Sequence, residues 1–176
     1  MPGYWYSFTS QIDDSSTIAF FCLDTNPLAY LSGSEAAAPS DTGAERRQLR
    51  WLDSSLSVSS ARWKVVVGHH TIYSNGSHGE NDVLRDLLLP ILTRSRADLY
   101  LCGHDHHLEM LKPVSGVHFV ISGAGGKRRD VTWRENTMFA ATNNGSNFFR
   151  VSAKEIALEF LDRTGHVIYA TTITKP

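Results

Sequence analysis

The chain has 176 residues, 41% hydrophobic and 20% charged, with a formal net charge of −1. That balance fits a globular chain able to bury a core, and it lacks the basic field of a nucleic-acid or membrane-surface binder. No apolar run approaches the ~20 residues of a membrane-spanning helix. Met1 to Tyr6 lack the positive flank and apolar core of a signal peptide.

Tyr4 to Ser10 alternates aromatic and polar residues, which predicts a strand. Thr17 to Leu23 is a continuous apolar run, the pattern of a strand covered on both faces. It ends in Asp24-Thr25-Asn26-Pro27, which reads first as turn chemistry. Leu28 to Gly43, rich in Ala, Ser, Gly and Pro, predicts a surface loop. Glu45 to Leu56 has helical periodicity, with Asp41 or Thr42 as its cap. Trp63 to Gly68 predicts a β-branched buried strand running straight into His69 and His70. A Gly/Asn/Ser loop with His78 follows, then a helix over Asp82 to Arg94, capped by Asp82 and kinked or split by Pro90. Ala97 to Cys102 predicts the next strand. Cys22 and Cys102 lie in apolar runs and read as buried free thiols. Asn75-Gly-Ser and Asn144-Gly-Ser match the glycosylation pattern, which matters only in a secretory route.

Strand, helix, strand, helix, strand predicts a parallel sheet with crossover helices. Residues 108–176 change character. Leu108–Pro113, Val117–Ser122, Asn147–Ser152, Ile156–Asp162 and Val167–Ile173 predict short antiparallel strands that extend the sheet, with hairpins at Ser115-Gly116 and Thr164-Gly165. Ser122 to Arg129 contains three glycines and then three cations. No helix pattern follows, so it reads first as a tight turn with a solvated basic edge.

Gly103 interrupts the apolar run Leu99–Cys102 and is followed by His104-Asp105-His106-His107. On extended backbone, residues two apart face the same way, ~6.5 Å apart. That suits two imidazoles reaching two metals held ~3.5–4 Å apart, as in two-metal hydrolytic sites. Asp24, His69 and His104 each follow an apolar strand, and in parallel sheets functional groups gather at those carboxyl ends. His69, His104 and His106 are the candidate metal ligands, and His78 the candidate group for contacting phosphate or protonating a leaving oxygen. His70, His107, Asp105 and Asn75 are assigned to the second shell or the rim, with His70 and His107 facing elsewhere on extended backbone. Two readings stay open on the residues alone: a metal site, or an α/β domain whose histidines shape turns.

Val65-Val66-Val67-Gly68-His69-His70, the Ser74–Gly79 loop, Leu101-Cys102-Gly103-His104-Asp105-His106 and Ser122-Gly123-Ala124-Gly125 resemble the C-terminal half of a metallophosphoesterase. Among these, the chain is most similar to the purple acid phosphatases, especially the tartrate-resistant type. Met1–Phe8 and Phe20–Asn26 share the likeness. The resemblance implies an α/β fold, half of a four-layer α/β/β/α sandwich. It implies hydrolysis of phosphate monoesters by metal-hydroxide attack at a dinuclear centre of iron with zinc, manganese or iron. His69 and His104 would hold the divalent ion, His106 the ferric ion, and His78 would contact the phosphate.

The family's earlier motifs are missing: no Gly-Asp, Asn-His or suitably placed Asp-x-His precedes His69. Residues 1–176 are therefore expected to be a partial domain carrying half the ligands. Its uncovered sheet face would favour self-association or pairing with the missing N-terminal half. The alternative is a truncated, non-catalytic remnant that binds one metal or a partner protein. The family is often secreted or periplasmic, and the compartment of this chain stays open.

Overall fold

The computed structural model describes residues 3–29 and 42–175. The central element is a seven-stranded mixed sheet ordered β1-β2-β3-β4-β6-β5-β7, built from Tyr6–Gln11, Thr17–Cys22, Trp63–Val67, Leu99–Cys102, Val117–Ser122, Leu108–Val114 and Thr137–Ala141 respectively. β2, β3, β4 and β6 run parallel, as the alternation of strands and helices predicts. β1 is an antiparallel edge, and β5 pairs antiparallel with both β6 and β7.

One face of this sheet is covered by two helices, α2 (Thr42–Val58) and α3 (Asp82–Arg94), which follow the short helix α1 (Asn26–Ala29). Leu52 and Leu56 of α2 and Leu84, Leu88 and Leu92 of α3 pack against Ala19, Phe21, Val66 and Tyr100. α3 is capped by Asn81, whose side-chain oxygen accepts from the Leu84 amide at 2.9 Å, so the cap lies one residue before the expected Asp82. Pro90 does not split α3. Leu88, Ile91 and Leu92 are buried on either side of it, and that packing holds the turn. The expected loop at residues 28–43 is entered by α1 and left by α2. Asp41 and most of that loop lie outside the described residues, as does the side chain of Thr42.

The tail departs from expectation. β5 and β6 do extend the sheet, but the last three strands do not. β8 (Gly145–Val151), β9 (Glu155–Asp162) and β10 (Val167–Thr174) form a separate antiparallel sheet ordered β10-β9-β8. The reason is the apolar face of β9. Ile156, Leu158 and Phe160 are fully buried against Ile18, Trp63, Val65, Leu99 and Met110, so this sheet stacks on the first instead of lengthening it. The Trp63 indole donates to the Ser152 carbonyl at 2.7 Å and Arg62 Nε to the Ala153 carbonyl at 2.7 Å, which ties the two sheets together. The result is three layers: helices, large sheet, small sheet. The small sheet covers much of the face expected to be bare. An apolar cleft remains between Phe20, Val65 and Leu101 on one side and Phe149 and Val151 on the other.

Both cysteines are free thiols. Asn75 is buried, with its amide donating to Asn136 and Thr137, so this glycosylation pattern is inaccessible in the fold. Among the described residues, no helix is long and apolar enough to cross a membrane.

Candidate metal centre

β2, β3 and β4 are parallel neighbours, so their carboxyl ends lie side by side. The chain leaves β3 into His69-His70 and leaves β4 into Gly103-His104. His69 Nε2 and His104 Nδ1 come within 3.2 Å. Two nitrogens bound at ~2.0–2.1 Å to one tetrahedral ion would stand about 3.3 Å apart, so this pair fits a single shared cation. Among the described residues, His69, His70 and His104 form a group whose ligand-type atoms all lie within 4.8 Å of one another, and no carboxylate joins them.

The backbone that does this is not the extended His-x-His of the sequence argument. β4 ends at Cys102. His104 has φ +60°, the left-handed region, which costs a non-glycine residue roughly 1–2 kcal/mol. This residue turns the chain out of the strand, so the same-side rule of a strand does not relate His104 to His106. His106 is half-buried, stands outside the three-histidine group, and its Nδ1 is buried with no hydrogen bond.

His70 also departs from expectation. β3 has ended at Val67, so His70 is not held on the opposite face by strand alternation. Its ring lies 4.5 Å from that of His104, centroid to centroid, and it is buried. Thr25, at the carboxyl end of β2, sets its state. Thr25 Oγ1 accepts from the His69 and His70 amides, each at 3.1 Å, and meets His70 Nδ1 at 2.9 Å. A hydroxyl has one proton and two lone pairs. With both lone pairs taken, the hydroxyl donates to Nδ1, which places the His70 proton on Nε2. Burial, then the nearby His104, His69 and His78, lower the His70 pKa to about 4, so it stays neutral near pH 7. Burial, followed by His78 and His69, also lowers that of His104. Neutral imidazole is the form that binds a metal.

Of the three strand ends, Asp24 is therefore not the one that reaches the cluster. Its carboxylate accepts from the Asn26 amide, and its backbone is clasped by Gln48. Thr25 does the work, and a lone threonine in a turn carries no sequence signal for that role.

The 74–79 loop folds over the cluster, and the His78 ring lies 4.2 Å from that of His104. Asp105 holds the loop. Its fully buried carboxylate accepts from Ser74 Oγ, from Ser77 Oγ at 3.2 Å and from the His78 amide at 3.2 Å. His107 is not at the rim. It is fully buried beneath the loop, 2.9 Å from Glu109, which also accepts from the Asn75 amide at 3.1 Å. Gly76 packs on these groups, where a Cβ would come 2.4 Å from His107 Cε1.

One residue missed by the sequence reading joins this rim. Arg129 Nη1 lies 3.0 Å from His78 Nε2 and 3.3 Å from Ser77 Oγ. Its amide donates to the His106 carbonyl at 2.7 Å, so the basic segment after Ser122-Gly123-Ala124-Gly125 is anchored to the site instead of being wholly solvated.

A family model described as calcineurin-like phosphoesterase matches residues 4–108, which include every histidine of the cluster. The chain belongs to that family of metal-dependent phosphoesterases. Within it, its similarity runs to the purple acid phosphatases. It is 36% identical over 183 residues to purple acid phosphatase 3 of Arabidopsis thaliana, covering 96% of this chain and 50% of that protein. It is 29% identical to tartrate-resistant acid phosphatase type 5 of Sus scrofa, covering 99% of this chain and 56% of that one. The solved structure of GAP50, described as the anchor in the inner membrane complex of Plasmodium, matches with a TM-score of 0.86 and 26% identity, over 100% of this chain and 56% of that one. The chain thus spans about half the length of the curated relatives it matches. Its lineage is that of phosphoester hydrolases, the family implies a dinuclear metal centre, and a histidine cluster is present here.

Proposed function

We propose that this chain is the histidine-bearing half of a phosphomonoester hydrolase of the purple acid phosphatase type, competent once carboxylate donors from beyond residues 1–176 complete its centre. The observation that carries this reading is the 3.2 Å approach of His69 to His104 from two parallel strand ends. When bound, the metal pair supplies charge neutralisation for the phosphate and a nucleophile at mild pH. His69 and His104 would offer ring nitrogens to the divalent ion, zinc, manganese or iron. His106 offers its nitrogen to the ferric ion. His70 presents Nε2–H to the cluster as a hydrogen-bond donor. His78, over the cluster and half-exposed, contacts the phosphate and passes a proton to the leaving oxygen. Asp105 fixes the loop that carries it.

The test is turnover of p-nitrophenyl phosphate by this chain and by a version extended upstream with an N-terminal half, each supplied with iron and zinc. The extended protein is expected to turn over and the isolated chain to be inert. His104→Ala in the extended protein should lower the rate about a hundredfold to a thousandfold, the scale of losing a central electrostatic group. An inert extended protein, or an unchanged rate after that substitution, overturns the reading. A second reading is a non-catalytic domain that holds one metal or a partner protein. It is favoured by the likeness to GAP50 and by the lack of any carboxylate in the three-histidine group. Binding of one metal per extended chain without turnover would select it.

A further inference from the structure

We infer that Asn75 is a positioning residue of this site: it latches the 74–79 loop to β5 and β7, and so fixes where His78 stands over the histidine cluster. The inference rests on the phosphoesterase reading for what His78 meets there, and goes beyond it in assigning what holds His78 in place. Asn75-Gly76-Ser77 is the glycosylation pattern that burial makes inaccessible. The latch gives that asparagine a different role.

Asn75 is buried, and its polar groups reach distant segments. Its backbone amide donates to Glu109 Oε2 on β5 at 3.1 Å, and its carbonyl accepts from the Thr132 amide at 3.1 Å. Its side-chain Nδ2 donates to Asn136 Oδ1 and to Thr137 Oγ1 of β7, each at 2.9 Å. Those two acceptors use both N–H bonds of Nδ2. The three side-chain partners lie 34 to 62 residues further along the chain. Aspartate has the same shape as asparagine but no side-chain donor.

The loop is thus gripped from two sides. Asp105, inside the histidine turn, accepts from Ser74, Ser77 and the His78 amide. Asn75 holds the other side, against β5 and β7. Gly76 rests between the two grips, where a Cβ would come 2.8 Å from Asp105 Cγ and 2.4 Å from His107 Cε1. A loop held by Asp105 alone would keep the freedom to pivot about the histidine turn. The second grip removes that freedom. His78 follows three residues after Asn75, with its exposed ring 4.2 Å from that of His104. Fixing that ring on folding spares the entropy of ordering it when an anion binds.

The test uses the full chain, with inorganic phosphate as the probe. Asn75→Ala keeps both backbone bonds and removes only the side-chain donors. It should raise the fast mobility of the His78 ring, read by NMR relaxation. It should also weaken phosphate binding to the zinc-loaded chain about tenfold, the scale of one net hydrogen bond. Zinc affinity, read by chelator competition, should stay in place, because no ligand-type histidine is touched. Glu109→Leu should act as Asn75→Ala does, and Glu109→Gln, which keeps an acceptor for the Asn75 amide, should recover most of the loss. If Asn75→Ala does not fold, Thr137→Val, which removes one acceptor of Nδ2, replaces it and should show a smaller change in the same direction. Unchanged His78 mobility and phosphate affinity overturn the inference and leave the phosphoesterase reading standing. Loss of zinc and phosphate binding together also overturns it, since Asn75 would then support the whole site and not His78. If phosphate binds neither the zinc-loaded chain nor the upstream-extended protein, the phosphoesterase reading falls, and the mobility of His78 alone decides the latch.

Discussion

His69 Nε2 stands 3.2 Å from His104 Nδ1, although 35 residues separate the two in sequence. Without a cation between them, only a single proton can be shared there. With one, both nitrogens are satisfied at ordinary ligand distances. The chain is expected to bind one zinc ion, and His104→Ala to lower the affinity by about a hundredfold or more, at or beyond the loss seen when groups behind a ligand are removed. Competition with a chromophoric chelator measures this directly.

The buried carboxylate of Asp105 serves three donors at once. Asp105→Ala would strand two hydroxyls and the His78 amide. A cost of about 3 kcal/mol is expected, which lowers the melting temperature by roughly 6–12 °C in a chain of this size. The exposed Asp14 serves as the contrast, and Asp14→Ala should move it little.

Gly123 and Gly125 separate packing from composition. A Cβ on Gly123 would lie 1.8 Å from the Asp105 carbonyl oxygen, a backbone atom that cannot turn aside. A Cβ on Gly125 meets nothing within 4 Å. Gly123→Ala should destabilise by about 3 kcal/mol and weaken zinc binding by displacing the 103–105 turn. Gly125→Ala should be close to neutral. Denaturant midpoints and chelator competition on the two variants read both effects.

The histidine cluster makes stability depend on pH. His70 takes its proton near pH 4 in the folded chain, against 6.5 for its ordinary value. Between these values the unfolded chain binds more protons, so stability is full above about pH 6.5 and is lost as pH falls toward 4. Burial lowers the pKa values of His104 and His118 as well, which adds to the loss with the same sign. Denaturation midpoints in EDTA across this range should fall, and His70→Asn should flatten the slope.

Thr25→Val tests the proton placement on His70. It removes the donor to Nδ1 and the acceptor for two backbone amides. Nitrogen shifts of His70 should show the proton on Nε2 in the wild-type chain and a tautomer mixture in the variant. A destabilisation of about 2 kcal/mol should accompany the change.

The sequence by itself determined the parallel core and the place of the site. Thr17–Cys22, Trp63–Val67 and Leu99–Cys102 are mostly apolar runs, interrupted inside only by Lys64 and each punctuated by a polar turn, and that pattern commits a chain to parallel strands with chemistry at their carboxyl ends. It did not determine which groups meet. The left-handed backbone at His104, the use of Thr25 in place of Asp24, the burial of His107 and the approach of Arg129 to His78 all depend on side chains from distant segments filling the same space. Residues 108–176 show the same division. Strand periodicity is local and was legible, except in the short Ala-containing β7. Whether a strand joins a sheet by its edge or stacks by its face is settled by where the apolar side of β9 finds its partners, and those lie on β2, β3, β4 and β5, far earlier in the chain.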